Sequence, residues 1–360
     1  MDRETKKEHL QSLAQYQRQL WQQPRLQSLF FELTDQCNLR CRHCGSSCTA
    51  DNRNFLPLNR IWGVLDSVAL KIDPSEIMVC LTGGEPLLHP AVYEVVWAAH
   101  SRGYFCGMTT NATLIDDRMA ETLVQSGLDT VSVSLDGLPE THDRFRNRSG
   151  AFDAALKGIR CLRKYGLEAQ VTTVVYPENL GELEALHHLL LEENIYSWRL
   201  TNVDPIGRAR MDTDILLNGE ELRQLYEFIR EKRSTTGPGM EITYGCSHFL
   251  GYDLEHEIRD FYFQCGAGTK VASIAANGDI LACLDIERRP DLVQGNIYRD
   301  DFLQVWEYGF KPFRRDRSEK SDFCSGCEYR PVCLGDSAHT WDYDNNRPLY
   351  CATKQMEGIL

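Results

Sequence analysis

The sequence has no uninterrupted apolar run near the roughly 18 residues that a membrane-spanning helix needs. Its start, MDRETKKEHLQSLAQYQRQL, lacks the apolar centre of a secretory signal peptide. Both absences make the cytoplasm the expected location and exclude a membrane partner from the expectation. Basic charge is also scarce: 39 Lys and Arg stand against 52 Asp and Glu, a net charge of −13. An acidic surface repels phosphate backbones, so nucleic acid is not an expected partner. Apolar residues make up 42% and charged residues 25% of the 360, ordinary values for a globular chain of about two domains.

Cysteine, by contrast, is abundant. Fourteen cysteines in a chain expected to be cytoplasmic do not read as a disulfide framework. Metal ligation, thiol chemistry and scattered core thiols remain. Cys80, Cys106 and Cys161 sit singly in apolar or helical contexts and read as core thiols. The others gather at two ends of the chain. The first group lies in TDQCNLRCRHCGSSC, Thr34 to Cys48, where Cys37, Cys41 and Cys44 are spaced C-x3-C-x2-C and Cys48 follows. Zinc could use His43 or Cys48 as a fourth ligand. An iron–sulfur cluster could use three thiolates and leave one iron without a protein donor. The spacing alone leaves both open.

From residue 28 to about 233 the pattern alternates. Strands are expected at 29–34, 76–82, 104–110, 130–137, 167–176 and 196–203, and helices at 57–71, 90–103, 116–127, 150–166, 179–194 and 218–233. Six strand–helix units demand parallel strands with right-handed crossovers. The fold class is therefore α/β, either an open doubly wound sheet or a partial (β/α)6 TIM-like barrel. Either places the site at the carboxyl ends of the strands. The polar and Gly-rich pieces TDQC, TGGEP, TTNAT, SLDG and PIGRA fall there. Residues 1–27 are expected to form an amphipathic helix packed on the barrel. After the turn-rich STTGPG (234–239), residues 240–360 read as a small, irregular, cysteine-rich C-terminal domain held by ligated metal.

The C-x3-C-x2-C motif at the tip of a first strand resembles that of the radical S-adenosylmethionine (radical SAM) enzymes. The resemblance covers roughly 28–233 and brings expectations in chain order. Gly83, Gly84, Glu85 and Pro86 form the GGEP element at the second strand tip, which in the family binds the methionine ammonium. Two glycines admit close backbone approach, and Glu85 offers a carboxylate to a cation. Asn111 matches a position near the cofactor, and Ser134 and Asp136 match a polar pair approaching the ribose and methionine portions. Arg148 is the expected partner of the methionine carboxylate, and the PIGRA loop (205–209) is expected near the adenine. The resemblance implies a [4Fe–4S] cluster on Cys37, Cys41 and Cys44 whose open iron chelates S-adenosylmethionine. Reductive cleavage would give a 5′-deoxyadenosyl radical that removes a substrate hydrogen. Cys48 reads as a structural thiol.

The C-terminal cysteines resemble the SPASM extension of such enzymes, which holds auxiliary iron–sulfur clusters. Cys324, Cys327, Cys333 and Cys351 supply four thiolates for one cluster. Cys265 and Cys283, with Cys246 as a looser third, are candidates for another. Ser337 stands where the extension usually has a further cysteine, so three outcomes are open: a cluster with an open iron, one completed by Asp336, Ser337 or His339, or no cluster. Asp285 is the candidate acid/base. The resemblance favours a peptide or protein substrate, modified by cross-linking, epimerisation or oxidation. A flavodoxin- or ferredoxin-type reductant and a separate leader-binding protein are the expected partners. A sulfatase-maturating-type oxidase and a small-molecule radical SAM enzyme are the alternatives within the family. Outside it stand a non-catalytic iron–sulfur electron carrier and a zinc-binding module.

Overall fold

The computed structural model describes residues 2–235, 239–245 and 248–358, so Cys246 lies outside the described residues. Helix α1 (Arg3–Gln22) is capped by Asp2, whose carboxylate accepts the Thr5 N–H at 2.8 Å. Strands and helices then alternate: β1 (Ser28–Glu32), α2 (Leu58–Ala69), β2 (Met78–Thr82), α3 (Val92–Ser101), β3 (Phe105–Thr110), α4 (Asp117–Gln125), β4 (Thr130–Ser134), α5 (Pro139–Arg146), α6 (Ala151–Lys164), β5 (Ala169–Val175), α7 (Pro177–Leu180), α8 (Leu183–Glu192), β6 (Ser197–Asn202), α9 (Gly219–Thr235) and β7 (Glu241–Tyr244). The remainder holds α10 (Gly251–Ile258), β8 (Val271–Ile274), β9 (Asp279–Leu281), β10 (Gly295–Asn296), α11 (Phe302–Tyr308), α12 (Arg330–Cys333), β11 (Trp341–Asp342), β12 (Arg347–Pro348) and α13 (Ala352–Met356). No helix among the described residues is long and apolar enough to cross a membrane.

The main sheet has ten strands in the order β10-β9-β8-β1-β2-β3-β4-β5-β6-β7. Strands β1 to β7 pair in parallel with their neighbours, and β8 is parallel to β1. The sheet does not close on itself, so this is a partial barrel. One face of the strands is fully buried against the helices and the other is half-buried, as the alternation along β4 and β5 shows. On β5, AQVTTVV, the β-branched residues alternate, with Ala169, Val171, Thr173 and Val175 buried. Trp198 on β6 is fully buried, and its indole N–H donates to Thr173 Oγ1 at 2.8 Å. Because the first six strands run the same way, Thr34, Gly83, Asn111, Asp136 and Asp204 all follow strand ends on one rim.

Three features depart from the expectation. The sheet does not stop near residue 234: β7 extends one edge beyond β6, and β8 to β10 extend the other beyond β1. The strands β7 to β10 thus belong to the sheet that carries the site. A helix not foreseen, α5, lies between β4 and α6. Helix α1 packs on the C-terminal segment rather than on the barrel helices. Its buried face is Leu10, Ala14, Gln17 and Leu20. Leu10 joins a cluster with Phe249, Tyr252, Phe263 and Val332, and the Gln17 amide donates to the Cys265 carbonyl at 3.1 Å. Leu10→Ala is expected to destabilise the protein by about 2–5 kcal/mol, read by thermal or urea unfolding. A loss below about 0.5 kcal/mol would contradict this docking.

Candidate functional site

The loop from Thr34 to Phe55 leaves β1 and folds over the rim. Backbone bonds weld it to the turn after β2: Gly84 N–H donates to the Thr34 carbonyl at 2.7 Å and Glu85 N–H to the Gln36 carbonyl at 2.9 Å. A Cβ on Gly84 would overlap the Gln36 carbonyl and come within 2.9 Å of the Cys37 Cβ. A Cβ on Gly83 would meet the Thr34 carbonyl at 2.5 Å. From the other side Arg208 holds the loop, donating from Nε to the Cys41 carbonyl at 2.7 Å and from Nη1 to the Cys48 carbonyl at 3.0 Å. Gly207 beside it has φ of +52°, and a side chain there would collide with the Cys44 and Gly45 carbonyls.

This packing leaves a cavity of about 260 Å³ lined by Cys37, Cys41, Cys44, Gly83, Gly84, Asn111, Ser134, Arg146, Arg208 and Asp285, among others. The three N-terminal thiols, the two glycines, Asn111, Ser134 and Asp285 therefore share one space. Asn111 is oriented by Asn38, whose Oδ1 accepts from it at 2.9 Å, while its own Oδ1 takes the Thr113 N–H and hydroxyl at 3.0 and 2.7 Å.

Four expected residues sit outside the cavity wall. Glu85 is fully buried, and its oxygens accept from Thr110 Oγ1 at 2.7 Å, Asn111 N–H at 2.9 Å and Leu87 N–H at 3.2 Å. It is committed to joining the turn to the β3 end and does not present a carboxylate to a cation. Burial pushes its pKa up. Pro86 is buried and opens the short 3-10 turn Pro86–Leu88. Asp136 is fully buried, with Oδ2 on Arg146 Nε at 2.5 Å and Oδ1 accepting the Val174 N–H at 2.9 Å. Burial raises its pKa, but Arg146, His43 and His142 outweigh that and the net shift is downward. Arg148 is exposed on the surface, away from the cavity. Helix α5 ends at Arg146, and Asn147 in the left-handed conformation turns the chain outward. Arg146 takes the inward place, with Nη1 donating to Cys41 Sγ at 3.6 Å.

The chemistry of the donors fits an iron–sulfur cluster. Burial pushes the Cys37 thiol up to about 12 and raises Cys41 as well, so neither ionises readily without an electrophile. A hydrogen bond from the Cys48 thiol lowers Cys44 to about 6. The buried Cys48 thiol also donates to the Ser46 carbonyl at 3.8 Å. His43 stacks on Phe145 at 4.4 Å, and its Nδ1 is buried without a partner. Burial and Arg146 lower its pKa to about 3, so the ring is neutral. Among the described residues no three His, Cys, Asp or Glu side chains are arranged to hold a single metal ion. The thiolates of a multi-iron cluster stand farther apart than the ligands of one ion.

A second cavity is lined by Cys324, Cys327, Cys333 and Cys351 together, with Phe323, Asp336, Trp341 and Lys354. These four thiols, up to 27 positions apart in sequence, face one volume. Cys265 and Cys283 are not in it. Tyr343 lies within electrostatic reach of both, and Cys265 Sγ accepts the Ala338 N–H at 3.4 Å. Ser337 is buried beside them. Asp336 and His339 do not fill the missing place: Asp336 holds the Phe249 N–H at 2.8 Å and His248 at 3.3 Å, and His339 Nε2 is bonded to Asp204 at 2.8 Å. The residues that sequence reasoning missed are Arg146, Arg208, Asp204 and His248; His339 was named, but as a cluster ligand rather than as the partner of Asp204. Only Arg208, inside PIGRA, carried a local signal.

Comparison with known proteins shows the family. Residues 31–190 match the model of the radical SAM superfamily, and residues 265–328 match that of the SPASM iron-sulfur cluster-binding domain. The chain is 31% identical over 346 residues to the AdoMet-dependent heme synthase of Methanosarcina barkeri, covering 91% of this chain and 96% of that protein. It belongs to the radical SAM superfamily and carries a SPASM-type iron–sulfur domain. It is accordingly an enzyme whose cofactors are a [4Fe–4S] cluster with S-adenosylmethionine and auxiliary iron–sulfur clusters. A mycofactocin maturase of Mycolicibacterium smegmatis is 28% identical over 316 residues, covering 85% of this chain and 76% of that protein. Among solved structures, anSMEcpe with bound AdoMet superposes with a TM-score of 0.72 at 17% identity, covering 92% and 94% of the two chains. SuiB of Streptococcus suis with S-adenosylmethionine gives 0.69 at 19%, covering 87% and 73%. At such identities the likeness shows the fold alone.

Gly84→Ala is expected to leave a folded protein that retains markedly less iron and sulfide, because the cysteine loop must retreat from the added methyl. Gly63→Ala, where nothing lies within 4 Å, is the control and should bind iron normally. Equal iron and sulfide content in both variants contradicts the close-approach argument.

Proposed function

We propose that Cys37, Cys41 and Cys44 hold the [4Fe–4S] cluster that binds S-adenosylmethionine, and that the enzyme modifies a side chain of an acidic tetrapyrrole. The observation that carries the substrate reading is a second chamber of about 300 Å³ lined by Gly45, Ser46, Ile206, Arg210, Asp285, Arg288, His339, Trp341 and Leu349, among others. It shares Gly45, Ser46 and Asp285 with the three-thiol cavity. Ile206, Trp341 and Leu349 give apolar walls with the basic His339 beside them, a combination that suits a flat, greasy molecule bearing a carboxylate. The heme synthase likeness, which spans nearly the full length of both chains, supports this reading. So does the Fe-coproporphyrin III synthase of the same organism, 32% identical over 203 residues.

When bound, the cluster and S-adenosylmethionine supply one-electron reductive cleavage and a hydrogen-atom abstraction. The chain's own groups position and shield. Gly83 and Gly84 offer backbone to the methionine end. Asn111 and Ser134 offer polar groups, and Arg146, fixed by Asp136, offers a cation. Arg208 keeps the cysteine loop in place. Asp285, at the doorway between the two spaces, is the candidate acid/base. Cys324, Cys327, Cys333 and Cys351 would hold a closed auxiliary cluster suited to electron transfer. Cys265 and Cys283 would belong to a second, with Cys246 the remaining thiol and Ser337 at its edge. Residues 1–27 serve as a clamp, 28–233 as the radical core and 240–360 as the auxiliary-cluster region. A flavodoxin- or ferredoxin-type protein supplies the electron.

A second reading is peptide maturation, favoured by the mycofactocin maturase likeness and needing a separate leader-binding protein. The test uses anaerobically reconstituted protein with dithionite and S-adenosylmethionine. Fe-coproporphyrin III is expected to raise 5′-deoxyadenosine formation and to give a tetrapyrrole of new mass. The triple change Cys37→Ala, Cys41→Ala, Cys44→Ala is expected to abolish both. Deoxyadenosine formation that responds to a precursor peptide and not to the tetrapyrrole would favour the second reading. Undiminished deoxyadenosine in the triple variant would sink both.

A further inference from the structure

Asp204, just beyond β6, is held by two imidazoles at once. His248 Nε2 donates to its Oδ1 at 2.7 Å and His339 Nε2 to its Oδ2 at 2.8 Å. The Asn202 amide adds a weaker bond to Oδ1 at 3.4 Å. His248 is fixed on its other face by Asp336 at 3.3 Å, and its side chain is wholly buried. Three distant segments are thus locked by one carboxylate whose side chain is only 10% exposed. Asp204 and His248 do not line the substrate chamber. His339 does, with its side chain 12% exposed. Its Nε2 is committed to Asp204, and its Nδ1 has no partner among the described residues.

The other two cations of the chamber are already spent. Arg210 pairs with Glu287 at 3.2 Å and Arg288 with Glu32 at 2.5 Å. His339 is the basic group of the chamber whose second ring nitrogen has no hydrogen-bond partner among the described residues. Burial opposes charge on this ring, but Asp204 outweighs it and the net shift of its pKa is upward. An imidazole donating from Nε2 and protonated at Nδ1 is a two-sided donor, one side fixed and one side offered. Asp285, on the doorway, also interacts with His339 from across the chamber. A carboxylate entering the chamber is repelled from that doorway and drawn to His339.

We propose that His339 anchors a carboxylate arm of the substrate, its Nδ1–H facing the chamber and its Nε2–H clamped on Asp204. The arm is then held away from Asp285, and the carbon skeleton it carries is left against the doorway to the three-thiol cavity. Asp204 acts as the positioning residue, fixing the ring's orientation. This inference rests on the acidic-tetrapyrrole reading.

The test is a Soret-band titration of the reconstituted holoenzyme with Fe-coproporphyrin III and with its tetramethyl ester. For His339→Ala the dissociation constant of the acid is expected to rise about tenfold or more, as loss of a charge-assisted hydrogen bond requires. The ester constant should move by less than about twofold, the signature of a specific pairing in a double-mutant cycle. His339→Gln keeps an N–H without the charge and should recover part of the acid's affinity; it also carries the test if the alanine variant does not fold. An equal loss for acid and ester, or no loss for either, overturns the His339 assignment while leaving the tetrapyrrole reading standing. If the unaltered enzyme binds neither compound, the tetrapyrrole reading falls and this inference falls with it.

Discussion

The site depends on how closely two backbones approach. The turn Gly83–Gly84 lies directly against Thr34–Cys37, joined by two short hydrogen bonds, and no side chain fits between them. That contact fixes where Cys37 stands and leaves the rim open on the opposite side. Parallel strands then bring Asn111 and Ser134 to the same opening without further design, since every strand ends on that face. One steric constraint at the second strand tip thus governs both the thiol arrangement and the room beside it.

Around this opening the charges are arranged to hold thiolates out of water. The Cys37 and Cys41 thiols are buried enough to resist ionisation, and one guanidinium, Arg146, is sunk beside Cys41. A buried cation alone would be costly, and Asp136 at 2.5 Å compensates it. The Asp136 carboxylate is itself satisfied by the Val174 N–H. The same logic recurs farther out, where Asp204 sits between two histidines and ties the end of β6 to the loop that carries Asp336 and His339. The C-terminal segment is not an appendage in this scheme. It donates strands to both edges of the sheet and one wall of the second chamber.

Much of the core was legible from local pattern. Six strand–helix alternations, C-x3-C-x2-C and Gly-Gly are written in neighbouring residues, and backbone approach depends on glycine itself. Side-chain direction was not legible. Arg148 and Arg146 differ by two positions, and which one faces inward depends on where α5 ends, a helix the pattern did not reveal. Glu85 carries the chemistry of a cation ligand, yet its geometry joins it to Thr110 and Asn111 instead. The edge strands β7 to β10 are short and pair with partners far away in sequence, so periodicity over a few residues cannot announce them. Asp204 and His339 are separated by 135 positions, and their bond exists only in the folded chain. The four C-terminal thiols that face one cavity were foreseen from their spacing because the resemblance supplied the grouping.

The central claim is that the amino-terminal thiols leave one iron free for S-adenosylmethionine. The most direct measurement is electron paramagnetic resonance of the reduced protein carrying Cys324→Ala, Cys327→Ala and Cys333→Ala, which removes thiols of the enclosed C-terminal site. The account predicts a [4Fe–4S]⁺ signal whose g-values shift when S-adenosylmethionine is added. A signal unchanged by the addition would contradict it.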